Sequence, residues 1–188
     1  MNGTVLQALL TGLLLASPIA AFGFIPTSAL AATDRPRQTW PYAVYGSFAI
    51  LLFSFCGWLL HLALLLSGAP GLELPLDILA LWGVNRLLRA AVHRTGELAA
   101  QAQFVPLNCA VLGAGLVVID RYPHDYSRAL LFAAGLAAGF LISLLVIAYF
   151  RERIETGRFS PQLAGWPSFL LLCSFYWVAC QGLALLIR

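Results

Sequence analysis

Charged residues interrupt this chain rarely and in clusters. Between the clusters run six mostly apolar stretches, approximately 4–30, 42–67, 74–92, 98–119, 127–150 and 166–187. The hydrocarbon core of a bilayer is about 30 Å thick and needs roughly 20 apolar residues of helix to cross it, so each stretch is predicted to span. The connections hold the charges and turn formers: Asp34-Arg35-Pro36-Arg37, Ser67 to Gly71, Arg94 to Glu97, Asp120 to Asp125 and Arg151 to Glu155. They are short, which predicts antiparallel sequential neighbours. Trp40, Trp58, Trp82, Trp166 and Trp177 fall mostly towards the span ends, where indole prefers the membrane interface.

Composition makes the membrane reading firm. Hydrophobic residues are 61% of the chain, charged residues 10%, and the mean hydropathy is +0.85. Soluble domains run nearer 45–50% apolar and about 25% charged, and a soluble chain of 188 residues could not hide this much apolar surface in one core. The length suits one integral membrane domain over 1–188, with a first half of about 1–95 and a second of about 96–188. No charge occurs between Met1 and Ala32, so the first stretch lacks the basic n-region of a signal peptide and is expected to be a retained span.

All 11 basic residues are arginine, and their placement orients the bundle. The connections after spans one, three and five hold eight of them: Arg35, Arg37, Arg86, Arg89, Arg94, Arg151, Arg153 and Arg158. The other side holds Arg121, Arg128 and Arg188, together with Glu73, Asp77, Asp120 and Asp125. Arginine collects on the cytoplasmic side, so both termini are expected outside, in the periplasm.

Two spans carry helix breakers. The first contains Pro18, Gly23 and Pro26; the fourth contains Gln101, Gln103, Pro106 and Asn108. Proline removes a backbone donor and clashes with the preceding turn, and the groups it frees persist in a membrane only where protein or water satisfies them. Phe24-Ile25-Pro26 and Phe104-Val105-Pro106 give the two stretches a common local pattern. Each opens a set of three spans. An odd number of spans per repeat inverts the second half, and broken helices at matching places mark a working site. The expected fold is therefore an all-α membrane protein of six transmembrane helices in two inverted three-helix halves, with spans 1 and 4 broken.

Candidate chemistry is sparse. Asn108-Cys109 lies in the broken fourth span, where a thiolate could bind iron or an iron–sulfur cluster; a lone cysteine there is equally a small apolar packing residue. Cys173 and Cys180 are seven apart and share a helix face, Cys56 stands alone, and the spacing supports packing for all three. His61, His93 and His124 have no metal-ligand spacing. Arg151-Glu152-Arg153 suggests either a docking surface or the ordinary basic flank of a span. Ala133 to Gly139 is a small-residue stretch that permits close helix approach. No phosphate loop, dinucleotide fingerprint or catalytic triad pattern is present, and no charged residue is read as lying deep in a span.

Leu107-Asn108-Cys109-Ala110-Val111-Leu112-Gly113 resembles the TNCAVLG motif of the RnfA/NqrE membrane subunits of the Rnf and Na+-translocating NADH:quinone reductase complexes. The resemblance continues from Arg121 to Ala134 and into Ala148 to Arg153, where that family has an IRER segment. Ser54-Phe55-Cys56-Gly57-Trp58 is similar to its second span. The resemblance implies six spans with termini outside, pairing with an oppositely oriented RnfE/NqrD-type homologue, and electron transfer across the bacterial inner membrane coupled to ion movement. It implies a [2Fe-2S] cluster at the interface of the pair, two cysteines from each chain, with Cys109, next to Asn108, as one ligand. The first-span ligand is missing. Thr27 occupies its position by gapless counting from Pro18, Ala29 by the internal repeat, and no cysteine precedes Cys56.

Two readings of different class follow. One is a membrane subunit of an Rnf-type ion-translocating electron transport complex, not catalytic alone. The other is a non-redox scaffold or assembly paralogue, or a small transporter, on the same inverted scaffold; loss of the first-span cysteine favours it.

Overall fold

The computed structural model describes residues 2–13, 36–68, 72–93, 109–156 and 166–186. These form six helices: α1 Asn2–Thr11, α2 Pro36–Ser67, α3 Glu73–His93, α4 Cys109–Arg121, α5 Tyr126–Thr156 and α6 Trp166–Leu186. The all-α expectation holds. Two stretches, Thr39–Ser67 of α2 and Tyr126–Ile154 of α5, are long and apolar enough to cross a membrane, and Pro167–Leu183 of α6 is a shorter apolar helix. Helix α3 carries Glu73, Asp77, Arg86 and Arg89, too many charges for that description. The broken segments around Pro18–Pro26 and Gln101–Asn108 lie outside the described residues.

Local chemistry sets the ends. Proline suits the first turn of a helix because its missing N–H is unused there, and α2 opens on Pro36, six residues earlier than the apolar run alone indicates, carrying Pro41 inside its second turn. It stops at Gly68, whose φ of 70° is the left-handed conformation glycine adopts without cost. There the Ser67 hydroxyl donates to the Leu64 carbonyl at 3.0 Å. Helix α5 starts after Asp125, whose carbonyl accepts the Ala129 N–H at 2.9 Å and whose carboxylate Oδ1 accepts the Arg128 N–H at 3.3 Å.

The centre of the bundle is the pair α2 and α5. Ser47 donates to the Ala137 carbonyl, Gly46 faces the Phe140 ring, and Trp58 packs against Tyr126. Advancing along one helix means receding along the other, so they are antiparallel. Around this pair the halves exchange partners. The opening helix of each half packs on the middle helix of the other, α1 on α5 and α4 on α2, while the closing helices α3 and α6 pack on their own middle helices. The middle helices are 32 and 31 residues long and the closing helices 21 each. Ser47 and Ala137 are 90 positions apart, as are the first residues of α2 and α5. An antiparallel pair that touches at equivalent residues has a two-fold axis through the contact, which is the arrangement an inverted repeat requires.

The core is built from Ile50, Phe53, Phe132, Leu136, Phe140 and Leu144 around that contact. The small-residue stretch of α5 does pack closely: a Cβ on Gly135 would meet the Leu9 carbonyl, and one on Gly12 the Phe132 carbonyl. Outward-facing positions of the middle and last helices, including Phe48, Leu59, Leu66, Phe175 and Val178, stay apolar and exposed, as lipid contact demands. On α3 the Arg86 guanidinium lies over the Trp82 ring, 5.2 Å from its centroid. Trp58 lies eleven residues beyond Ser47 on α2 and donates its indole N–H to the carbonyl of Tyr122, just past the end of α4, at 3.3 Å.

Candidate functional site

Cys109 is the first residue of α4. Asn108 and Thr27 lie outside the described residues, so the position of this candidate site follows from the helix that carries Cys109. A Cβ on Gly115 would enter the Phe53 ring, and one on Gly57 would stand 3.1 Å from Ile119 Cδ1. Four residues forward on α4 correspond to four forward on α2, so these helices run in the same direction. Cys109 precedes Gly115 by six residues, as Ser47 precedes Phe53. At 1.5 Å per residue, about 9 Å, Cys109 is level with Ser47 and hence with the two-fold contact.

From Cys109 at mid-height, the described part of α4 runs about 20 Å to one end of the bundle. Val111, Ala114 and Val118 are buried and anchor it against α2 and α5.

The remaining cysteines do not gather there as a set. Cys56 is half-buried on α2, nine residues beyond Ser47, or about 14 Å along the axis. Cys173 and Cys180 are buried on α6, which packs mainly on α5. Their common face, expected from the spacing, is turned inward. Near them the Ser143 hydroxyl lies 2.6 Å from the Gly139 carbonyl and 2.9 Å from the Tyr176 hydroxyl, within hydrogen-bond reach of both. Among the described residues, no three His, Cys, Asp or Glu side chains converge as a metal site. His61 lies half-buried on α2.

Two charged side chains are enclosed. Arg151 is only 4% exposed while Glu152 and Arg153 face outward; the tripeptide is divided between interior and surface and is not a continuous docking patch. Asp77 belongs with the outer-side acids by its place in the sequence, but it is 1% exposed on the inward face of α3, in line with buried Leu81, Val84 and Leu88. A Cβ on Gly57 would lie 3.7 Å from its Oδ1. Asp77 is thus enclosed between helices near the start of α3. Asp77, Leu81, Val84 and Leu88 have helical spacing on one stripe, so the sequence already carries the signal for its inward face.

Comparison with known proteins places these features in context. Residues 84–187 match the family described as Rnf-Nqr subunit, membrane protein. The A subunit of the ion-translocating oxidoreductase complex of Photorhabdus laumondii subsp. laumondii is 28% identical over 156 residues, 76% of either chain. The protein of the same description from Aromatoleum aromaticum is 29% identical over 144 residues, 73% of this chain and 74% of that one. The A subunit of the Na(+)-translocating ferredoxin:NAD(+) oxidoreductase complex of Acetobacterium woodii is 33% identical over 82 residues, 42% of each chain.

Proposed function

Because this chain belongs to the Rnf-Nqr family of membrane subunits, we propose that it is the A-type membrane subunit of an Rnf-type ion-translocating electron transport complex. It works with the other subunits of that complex and pairs with an oppositely oriented RnfE/NqrD-type homologue in the bacterial inner membrane. The observation that carries this reading is the family match from α3 through α6, which includes Cys109 at the level of the two-fold contact. Termini outside the cytoplasm agree with the arginine distribution.

The donor set decides how far an iron–sulfur cluster suits this chain. A four-cysteine [2Fe-2S] centre shared by two chains requires two thiolates from each. This chain has four cysteines, of which Cys56, Cys173 and Cys180 lie on α2 and α6. The standard form does not fit. The single thiol that suits an interfacial cluster is Cys109, with Asn108 beside it as a hydrogen-bonding neighbour, and threonine at position 27 is a poor substitute for a thiolate.

Iron and acid-labile sulfide in the purified complex, with electron flux, test the role of Cys109. Cys109→Ser is expected to lower all three, and Cys173→Ser, as a control on α6, to leave them unchanged. Wild-type iron and flux in Cys109→Ser would remove Cys109 from the electron path. The absent first-span cysteine favours a second reading, a non-redox scaffold or small transporter on the same fold. Genes for flavin- and iron–sulfur-bearing subunits beside this one support the redox complex; an isolated gene supports the alternative.

A further inference from the structure

Helix α3 carries a charge on the face that its packing leaves open. Its inward stripe, Asp77, Leu81, Val84 and Leu88, is buried against the bundle. With 3.6 residues per turn Arg86 falls on the opposite side of the helix, where it is exposed together with Leu79, Trp82 and Ala90. The charge pattern assigns Arg86 to the connection after span three, yet α3 continues past it to His93. Among the described residues its interaction is with the Trp82 ring, over which the guanidinium lies 5.2 Å from the centroid. A ring face leaves the N–H donors at the guanidinium's edge unmatched.

The level of Arg86 makes this exposure costly. The two-fold contact is the middle of the bundle, since α2 runs on from Ser47 to Ser67 and α5 from Ala137 to Thr156, nearly equal lengths in opposite directions. Asp77 stands beside Gly57, where a Cβ would lie 3.7 Å from its Oδ1. Gly57 is ten residues from Ser47, about 15 Å along the axis. Helix α3 packs on α2 and runs back along it after the turn at Gly68. Arg86 follows Asp77 by nine residues, about 14 Å, which returns it close to the level of Ser47. Reaching back over Trp82 carries the guanidinium about one turn, or about 5 Å, well short of the hydrocarbon half-thickness of about 15 Å. Charged side chains at that depth face protein or a water-filled cavity, and lipid is the costly alternative.

We infer that the Trp82–Arg86 face of α3 docks a transmembrane helix of another subunit, one that presents an ionised aspartate or glutamate at the middle of the membrane. A helix is the element that crosses hydrocarbon with its backbone satisfied from within, and a carboxylate takes the guanidinium edge in two parallel hydrogen bonds. Tryptophan and arginine are the side chains that most often anchor interfaces. Leu79 and Leu87, 61% and 65% exposed, flank them with apolar surface. The described acids of this chain lie at other levels: Glu73, Asp77, Asp120 and Asp125 towards the outer end, Glu152 and Glu155 at the far end of α5. A second copy is disfavoured by charge, because two-fold pairing through this face would set Arg86 against Arg86. The inference deepens the reading of this chain as one subunit of a larger complex and rests on it.

The test uses the whole complex in its native membrane, with a tag on this subunit. A benzophenone amino acid is placed at Leu79 and, separately, at Leu87; after irradiation the adducts are mapped by peptide mass spectrometry. The expected product joins α3 to an apolar segment of another subunit that has an Asp or Glu within two turns of the crosslinked residue. Four outcomes overturn the proposal: lipid adducts alone, a partner segment without an acid, a second copy, or residues 14–35 or 94–108 of this chain, which hold Asp34 and Glu97. Arg86→Glu is expected to lower co-purification of the mapped neighbour at least tenfold, Arg86→Lys to retain most of it, and arginine in place of the neighbour's acid to rescue Arg86→Glu. Wild-type recovery with Arg86→Glu also overturns the proposal. If Arg86→Glu does not insert, the crosslinks decide, since they leave Arg86 in place. An unmodified chain that co-purifies with no other membrane subunit counts against the complex itself, and that result needs no variant.

Discussion

Ser47 donates its hydroxyl to the backbone carbonyl of Ala137 across 2.8 Å, and the two residues occupy equivalent places in the two halves, 90 positions apart. The contact lies where the axis relating the halves passes through the central helix pair. It gives the bundle a middle level against which Cys109, Asp77 and Arg86 can be placed. Interhelical hydrogen bonds in membranes contribute about 0.6 kcal/mol on average, because the separated helices find other partners. Ser47→Ala is therefore expected to lower stability by roughly that amount, measured by unfolding in mixed micelles, with the bundle intact.

The crossing of α1 and α5 is more demanding. A methyl group on Gly135 would be driven into the Leu9 carbonyl and to within 3.2 Å of the Leu13 nitrogen, and helix backbone cannot rotate aside as a side chain can. Gly135→Ala is expected to cost about 1–3 kcal/mol, the usual size of overpacking. Gly182→Ala on α6, with nothing within 4 Å of its Cβ, should change stability little. Thermal denaturation of the two variants in one detergent reads the contrast; equal midpoints would show that α1 does not pack as described.

At the start of α5 the Ser127 hydroxyl donates to Asp125 Oδ1 at 2.8 Å, and Arg128 Nε stands 3.0 Å from Oδ2. The Ser127 hydroxyl above all, then the Arg128 N–H and guanidinium, hold the Asp125 carboxyl below its ordinary value of 3.8. A depressed folded-state pKa stabilises the capped end above the unfolded-state value, and the benefit disappears as pH falls through the folded value. Hydrogen exchange at the Ser127 and Arg128 amides should stay protected at neutral pH and quicken below about pH 3.8, after allowance for intrinsic rates. Asp125→Asn should abolish that step while leaving the rest of α5 protected.

Helix α6 is tied to α5 by the Tyr176 hydroxyl on Ser143, itself bonded to the Gly139 carbonyl. Tyr176→Phe and Ser143→Ala each remove this pair and should each destabilise the bundle by about 0.6 kcal/mol. In a double-mutant cycle the two losses are expected to be less than additive, since either change alone already breaks the bond. Full additivity would mean that the hydroxyls do not interact in the membrane.

The number and rough limits of the helices were legible because they depend on local quantities. A run of apolar residues has the length a bilayer requires, and a charge or a glycine such as Gly68 ends it. Cys109 could be picked out for a related reason: its motif is a contiguous stretch of chain. The burial of Asp77 and Arg151 was not legible, because near the end of an apolar run helix phase, not distance along the sequence, decides which way a side chain faces.

By itself the sequence determined a six-helix, all-α membrane chain, its arginine asymmetry and its single candidate thiolate. Tertiary structure decided which helices meet, that α2 and α5 cross at equivalent residues, that Cys109 lies at their level, and that Asp77 faces inward. The physical reason is range. Hydrophobic length is a property of 20 or so neighbouring residues. Enclosure of a side chain depends instead on a partner face as far as 90 residues away, and becomes definite only once the helices have packed.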